Sequence, residues 1–347
     1  MKEYIRWHRQ TILKALQTRR VIIVSGARQV GKTTLTKQAL PQTAVFRTLD
    51  DSTLFTAAKD DPAGFVSNNT GTLVIDEIQK VPYLLPEIKK VVDNNNRPGQ
   101  FVLTGSANIQ SIPTVNESLA GRVKNIRLHA LTQGEILGNP PAFLEKAFKG
   151  KFNSQYPACS KQAVLEIAFR GGYPEPLHLS AKERKGWHKD YLQALLMRDL
   201  RDIANIRRQN MFRQLLEILA AWSSKYIDLH GIGSHIGITQ PTLITYINII
   251  NDLYISDTLP AWIKTDYDRV AKKDKFYFAD TGLMSSILNW HIEEVALDAD
   301  KYGKIIETLV FNELKAQIEM EDDYNLYHFR KNVKIYSSIY KLTFSSY

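Results

Sequence analysis

The chain has 347 residues, 44% of them hydrophobic and 23% charged, which is the make-up of an ordinary globular protein. That length holds two or three domains with cores of their own, and no run of about 18 uninterrupted apolar residues argues for a membrane span. The 45 Lys and Arg outnumber the 36 Asp and Glu, for a formal charge of +9, a surplus that suits nucleic acid or an acidic protein partner without choosing between them. The single cysteine, Cys159, excludes an internal disulfide, and the charged start MKEYIRWHRQ has no apolar core of a signal peptide. Together these place the expected location in the cytoplasm.

In chain order, VIIVS (21–25) is β-branched and apolar, as a strand buried on both faces should be. GARQVGKT follows and satisfies G-x-x-x-x-G-K-[ST], with Gly26, Gly31, Lys32 and Thr33 in the fixed places. KTTLTKQAL then reads as a helix that stops at Pro41. Glycine lets backbone N–H groups approach phosphates without a Cβ clash, and the helix start adds free donors and a positive dipole end. A nucleoside triphosphate would lie along Gly26, Ala27, Arg28, Gln29, Val30, Gly31, Lys32, Thr33 and Thr34. Lys32 would reach the β- and γ-phosphates, and the Thr33 hydroxyl would ligate Mg²⁺. The bland alternative is a glycine-rich strand–helix turn.

TLVIDEIQKV (72–81) is an apolar strand ending in Asp76, placed to hold Mg²⁺ with Thr33. Glu77 beside it suits a general base that polarises water, against the alternative of an acidic helix cap. QFVLTGSAN (100–108) reads as a third strand whose polar end can sense the γ-phosphate or orient water. Ser106 is the first choice for that role and Asn108 the second; both are also ordinary turn residues. KNIRLHAL (124–131) reads as one more strand, preceded by ESLAGRV with Arg122. Arg122 is either an arginine finger on the γ-phosphate, in cis or from a neighbouring subunit, or a surface arginine.

Beyond residue 140 the pattern turns helical. YLQALLMRDLRDIANI has apolar residues at helical spacing, and its Arg198 is either a second nucleotide sensor or a solvated side chain. Residues 212–262 read as a winged helix, with FRQLLEILAAWSS, LHGIGSHIG and TQPTLITYINIINDLYI as its helices and YISDTLPAW and KFYFADTGL as wing strands. Such modules commonly set the third helix in a DNA major groove. That helix offers Thr239, Gln240, Thr242, Thr245 and Tyr246 but no Lys or Arg, whereas phosphate neutralisation dominates DNA affinity. The cations lie in the wing segment, Lys264, Arg269, Lys272, Lys273 and Lys275, diluted by Asp266, Asp268 and Asp274. DNA contact and partner docking both stay open. His230 and His235 sit in a glycine-rich turn and do not make a metal site.

With these stretches in hand the chain resembles the prokaryotic AAA-type ATPases that join a P-loop domain to a C-terminal domain of unknown function. The matching stretches are YIRWHRQTILKAL, GARQVGKTTL, LVIDEIQKVPYLLPEIK, FVLTGSAN, SLAGRV, RGGYPEP, YFADTGL and KIIETLVFNEL. The resemblance implies ATP, with Mg²⁺, rather than GTP. It gives no chemistry for RGGYPEP or DTGL. The expected architecture is α/β: a P-loop domain at 1–140 with a parallel sheet flanked by helices, a helical linker at 141–210, a winged helix at 211–290 and an incomplete nuclease-like α/β segment at 296–347.

In the resemblance, the last segment opens a nuclease-like fold whose Mg²⁺ site needs Glu307, an aspartate and an E-x-K pair. After Asp323 the chain has no acidic residue, so no nuclease activity is expected, and a frameshift or early stop is suspected. The leading expectation is Mg²⁺-dependent ATP hydrolysis coupled to the winged-helix module. The alternative is a nucleotide-dependent DNA- or protein-binding switch with little turnover, and either could be a remnant that has lost its effector. A homo-oligomer follows if Arg122 acts in trans.

Overall fold

In the computed structural model of this chain the structure describes residues 3–67, 70–106, 108, 119–152, 159–199, 209–262, 273–321, 323–331 and 334–341. The chain divides into two compact units. One is Met1–His129 with Asp252–Tyr254, the other Ala130–Asn251 with Ile255–Tyr347.

The first unit alternates strands and helices: α1 (His8–Thr18), β1 (Val21–Ser25), α2 (Lys32–Ala39), β2 (Val45–Thr48), α3 (Ser52–Asp60), α4 (Pro62–Val66), β3 (Leu73–Asp76), α5 (Leu84–Asn94), β4 (Phe101–Gly105) and β5 (Val123–Arg127). The five strands form one parallel sheet in the order β2-β3-β4-β1-β5. Every residue of β1 and β4 is buried, which is why those strands read as continuous apolar runs. On one side Val21, Ile23, Leu73, Ile75 and Leu103 meet Leu84, Leu85, Ile88 and Val92 of α5. Each such side chain contributes roughly 1.5–3 kcal/mol by burial.

Strand β2 is absent from the sequence reading. It is an edge strand, exposed or half-buried throughout, and VFRT carries a cation where an inner strand would be apolar. Strand β4, by contrast, sits between β1 and β3. Its carboxyl end therefore lies between the end of β1, which feeds the glycine loop, and Asp76 at the end of β3. Open parallel sheets bind ligands in the crevice outside such strand ends.

The second unit is mostly helical: α6 (Gln133–Leu137), α7 (Phe143–Phe148), α8 (Lys161–Arg170), α9 (Ala181–Ala194), α10 (Gln209–Ala221), β6 (Lys225–Tyr226), α11 (Leu229–Ile236), α12 (Gln240–Asp252), β7 (Ser256–Leu259), β8 (Lys275–Phe278), α13 (Thr281–Ile287), α14 (Ile292–Leu297), α15 (Ala299–Ile318), β9 (Tyr324–Lys331) and β10 (Lys334–Lys341). Strands β6, β8 and β7 form a three-stranded antiparallel sheet with β8 in the middle. Strands β9 and β10 pair as a hairpin. No helix among the described residues is long and apolar enough to cross a membrane.

RGGYPEP and DTGL turn out to be two halves of one buried joint. Asp280 caps α13 through the Leu283 N–H at 2.7 Å, and its other oxygen accepts the Gly172 N–H at 2.7 Å. The Gly172 carbonyl accepts from the Leu131 N–H at 2.7 Å. A Cβ on Gly172 would stand 2.2 Å from the Leu131 oxygen, and one on Gly171 would stand 2.6 Å from the Asp280 carboxylate. Tyr173 is buried beside them; its hydroxyl donates to Tyr191, whose ring stacks on Trp187 at 5.3 Å and 9°.

One wing cation needs correcting. Lys275 is no surface residue: it begins the central strand β8, is 2% exposed, and its ammonium pairs with Glu307 of α15. The same Glu307 oxygen accepts from the Tyr277 hydroxyl at 2.7 Å. Lys275 is therefore spent inside the unit and cannot neutralise a DNA phosphate, while Lys273 is exposed. Lys264, Arg269 and Lys272 lie outside the described residues, as do Asp266 and Asp268.

Candidate nucleotide site

The glycine loop leaves β1 with Gly26 at φ +147°, and α2 starts after Gly31 at φ +97°. A Cβ on Gly26 would stand 2.2 Å from the Leu128 carbonyl oxygen, so only glycine lets the loop pass β5 so closely. Gln29 also takes a left-handed φ of +63°. Ala27 and Val30 are buried, Arg28 is half-buried, and Gln29 and Thr34 face solvent. The Lys32 ammonium folds over the loop and donates to the carbonyls of Gly26 at 2.9 Å and Ala27 at 2.8 Å. A phosphate on the loop offers the same ammonium stronger, charged acceptors.

Two neighbouring carboxylates sit at the end of β3, each with its own hydroxyls. Asp76 accepts from Thr33 at 3.1 Å through one oxygen and from Thr104 of β4 through the other. Glu77 lies at φ +59° and accepts from Ser106 at 3.1 Å. Gln79 donates its amide N–H to the same Glu77 oxygen and also to the Ser106 oxygen at 3.2 Å. Thr33, Asp76, Glu77 and Ser106, chosen from three separate stretches of sequence, thus meet at one sheet end.

Arginine 122 does not join them. It precedes β5, whose first residue pairs with the first residue of β1, so it lies at the amino-terminal edge of a parallel sheet. That edge is roughly 15 Å of strand away from the loop, at 3.3 Å per residue. Its guanidinium pairs with Asp93 and donates to the Ala120 carbonyl at 3.1 Å. The cis finger is corrected on that ground. Asn108 is engaged by Asp252 of the same unit, backbone to backbone at 2.8 Å and side chain to side chain at 3.0 Å. The Arg198 side chain lies outside the described residues.

Two residues of this site were not singled out from the sequence. Gln79 is one. Arg6 is the other: it is 6% exposed and donates to the Val30 carbonyl of the loop at 2.9 Å and to the His129 carbonyl at 2.6 Å. It ties the loop to the chain after β5. A cation so close to the sequence start looks like surface, and only its partners, 24 and 123 residues away, reveal it.

A family described as AAA domain matches residues 18–137, the span that holds the glycine loop, Asp76, Glu77 and all five strands. The chain carries an AAA-type P-loop ATPase domain. Residues 161–294, which include the joint of Gly172 and Asp280, match a domain of unknown function that follows the AAA domain. Over 306 residues the chain is 26% identical to an uncharacterized protein of Mycobacterium tuberculosis, covering 87% of this chain and 64% of that protein. The match to an uncharacterized protein of Methanocaldococcus jannaschii is 23% over 332 residues, 91% of this chain and 71% of the other. The chain thus spans 64% of the length of the mycobacterial relative. Among solved structures, the Holliday junction branch migration motor RuvB of Thermotoga maritima aligns with 16% identity and a TM-score of 0.33, over 77% of this chain and 95% of that one. A signal transduction ATPase with a tetratricopeptide repeat sensor from Pyrococcus horikoshii aligns with 14% identity and a TM-score of 0.21, over 90% of this chain and 48% of that one.

The residues of the AAA domain fit a Mg²⁺–nucleotide. Mg²⁺ takes one or two protein oxygens and completes its shell with phosphates and water, so the Thr33 hydroxyl and the Asp76 carboxylate suffice. Among the described residues no group of three or more His, Cys, Asp and Glu forms a larger metal cluster.

Proposed function

We propose that the AAA domain binds ATP with Mg²⁺ and hydrolyses it, and that its nucleotide state acts on the module that follows. The observation that carries this reading is the carboxylate pair at the end of β3, with Asp76 on the loop's Thr33 and Glu77 turned away to Ser106. One carboxylate serves the metal and the other is left for water. Thr33 and Asp76 would hold Mg²⁺, which supplies positive charge to the phosphate oxygens. Lys32 leaves its two carbonyls for the β- and γ-phosphates. Glu77 takes a proton from the attacking water, the water oxygen bonds to the γ-phosphorus, and the bond to the ADP oxygen breaks.

Phosphate release from ATP, compared with Lys32→Ala and Glu77→Gln, tests this. Turnover in the unaltered chain should exceed both variants by at least about a hundredfold. Equal rates in all three would overturn it.

For the second unit we infer a winged helix, from the order α10, β6, α11, α12, β7, β8. It docks DNA or a protein partner. Helix α12 lends little to phosphate contact: the Thr245 hydroxyl is turned onto the Pro241 carbonyl at 3.0 Å, Thr239 and Thr242 share a bond at 2.9 Å, and Tyr246 packs on Phe212. A switch that binds its partner in the ATP state, with little turnover, is the second reading, favoured by the grip of Ser106 and Gln79 on Glu77. Gel shifts with and without ATP over a salt series separate the partners, because DNA binding weakens steeply with salt. Turnover measured against protein concentration tests a homo-oligomer.

A further inference from the structure

Gln79 stands two residues past Glu77, on the short 3-10 turn Ile78–Lys80 that follows β3. The left-handed φ of Glu77 folds the chain back, so that the Gln79 amide and the Glu77 carboxylate face each other. The amide nitrogen grips Glu77 and Ser106 at once, which closes a triangle of Glu77, Gln79 and Ser106 across β3 and β4. The orientation of this amide is fixed by chemistry: reversed, it would press its oxygen against a carboxylate, two acceptors with no proton between them.

That leaves the Gln79 Oε1. It is buried and has no hydrogen-bond partner among the described residues. A buried carbonyl oxygen without a donor is costly, and one beside a general base invites a donor. The attacking water has two protons. One goes to Glu77; the other needs an acceptor if the water is to present a lone pair to the γ-phosphorus.

We propose that Gln79 is the positioning residue of the hydrolytic step: its Nε2 holds Glu77 in place and its Oε1 accepts the second proton of the attacking water. No proton is transferred to Gln79; it orients the water while Glu77 takes the proton that leaves. The assignment rests on ATP hydrolysis as the activity of this domain. It also separates the roles of the two hydroxyls at the carboxyl end of β4, Thr104 for the metal-side Asp76 and Ser106 for the water-side Glu77.

The test uses the full chain with saturating Mg²⁺ and ATP, and variants Gln79→Ala, Gln79→Met and Gln79→Glu beside Glu77→Gln. Met keeps the volume without the hydrogen bonds, so it covers the case in which Ala fails to fold. Both neutral variants should lose about a hundredfold in kcat, the cost of a misplaced nucleophile. KM, and the Kd for a fluorescent ATP analogue, should stay within about threefold, with the melting temperature unchanged. Gln79→Glu restores an acceptor but sets a second carboxylate on Glu77, so the acid limb of its pH–rate profile should move to higher pH. Neutral variants that keep kcat within about threefold, or lose nucleotide affinity as much as rate, would overturn the role of Gln79. If the unaltered chain is no faster than Glu77→Gln, it is the hydrolysis reading that fails, a result distinct from an active chain indifferent to Gln79.

Discussion

Asp280 accepts the backbone N–H of Gly172 at 2.7 Å, joining two turns 108 residues apart. The same carboxylate caps α13 at Leu283, and it is fully buried, with burial raising its pKa against the pull of those N–H donors. Asp280→Ala removes the acceptor from two buried N–H groups at once. An uncapped helix costs about 1 kcal/mol and each orphaned buried donor about 1–3, so a loss of about 3 kcal/mol is expected. Gly172→Ala should be as damaging, because its Cβ would press on the Leu131 carbonyl. Urea unfolding of the full chain checks both. Midpoints within error of the unaltered chain would show that this joint is not structural.

Arg6 makes a prediction for the nucleotide site that its distance in sequence conceals. Its two bonds are charge-assisted, the one to the Val30 carbonyl buried and the one to the His129 carbonyl partly so, worth about 1.5–3 kcal/mol each where undisturbed. Arg6→Ala frees the loop to wander, so nucleotide affinity should fall at least about tenfold, the equivalent of 1.4 kcal/mol. Arg6→Lys can satisfy one carbonyl but not both in a fork, and should fall between. Titration with a fluorescent ATP analogue decides. Unchanged affinity in Arg6→Ala would remove the loop from Arg6's care.

What the sequence made legible follows from how local each signal is. The glycine loop and the Asp76–Glu77 pair are contiguous, so type and spacing disclose them, and β1 and β4 are buried throughout. Edge strand β2 hides because half-exposed residues need not be apolar. The strand pattern around Arg122 is visible in the sequence, but the direction in which the strand runs relative to the site is not. In a parallel sheet the site lies at the carboxyl ends, and a residue before a strand stands at the other edge. Lys275 looks like a surface cation in the sequence because its partner, Glu307, is 32 residues on and on another element. Gln79 and Arg6 are visible only through partners that folding brings to them.

The pair of Lys275 and Glu307 can be split to show which side bears the cost. Lys275 is 2% exposed and the Glu307 side chain 39%. Glu307→Gln leaves a buried ammonium without its counter-charge, whereas Lys275→Met leaves a carboxylate that water can reach and the Tyr277 hydroxyl still serves. The first should cost about 3–5 kcal/mol and the second clearly less. The double variant should recover most of the loss, because with Met in place of Lys275 no buried ammonium is left without its counter-charge. Unfolding midpoints of the three variants measure it. Equal losses in the two single variants would show that burial of Lys275 is not what sets the cost.

Glu313 supplies a pH signature. Burial pushes its carboxyl up to about 7, the Gln133 N–H at 2.8 Å pulls it down, and the nearby Glu135 carboxylate adds to the rise. In the unfolded chain it titrates near 4.5. Between these values the folded chain binds the extra proton, so stability declines as pH rises from 4.5 to about 7, by at most about 1.4 kcal/mol per pH unit, and levels off above. Glu313→Gln keeps an oxygen for the Gln133 N–H and cannot ionise. Its stability relative to the unaltered chain should therefore climb from pH 5 to about 7 and then stay constant, which chemical unfolding at a series of pH values reads directly. A difference that stays flat across that range would show that Glu313 ionises alike in the folded and unfolded chain.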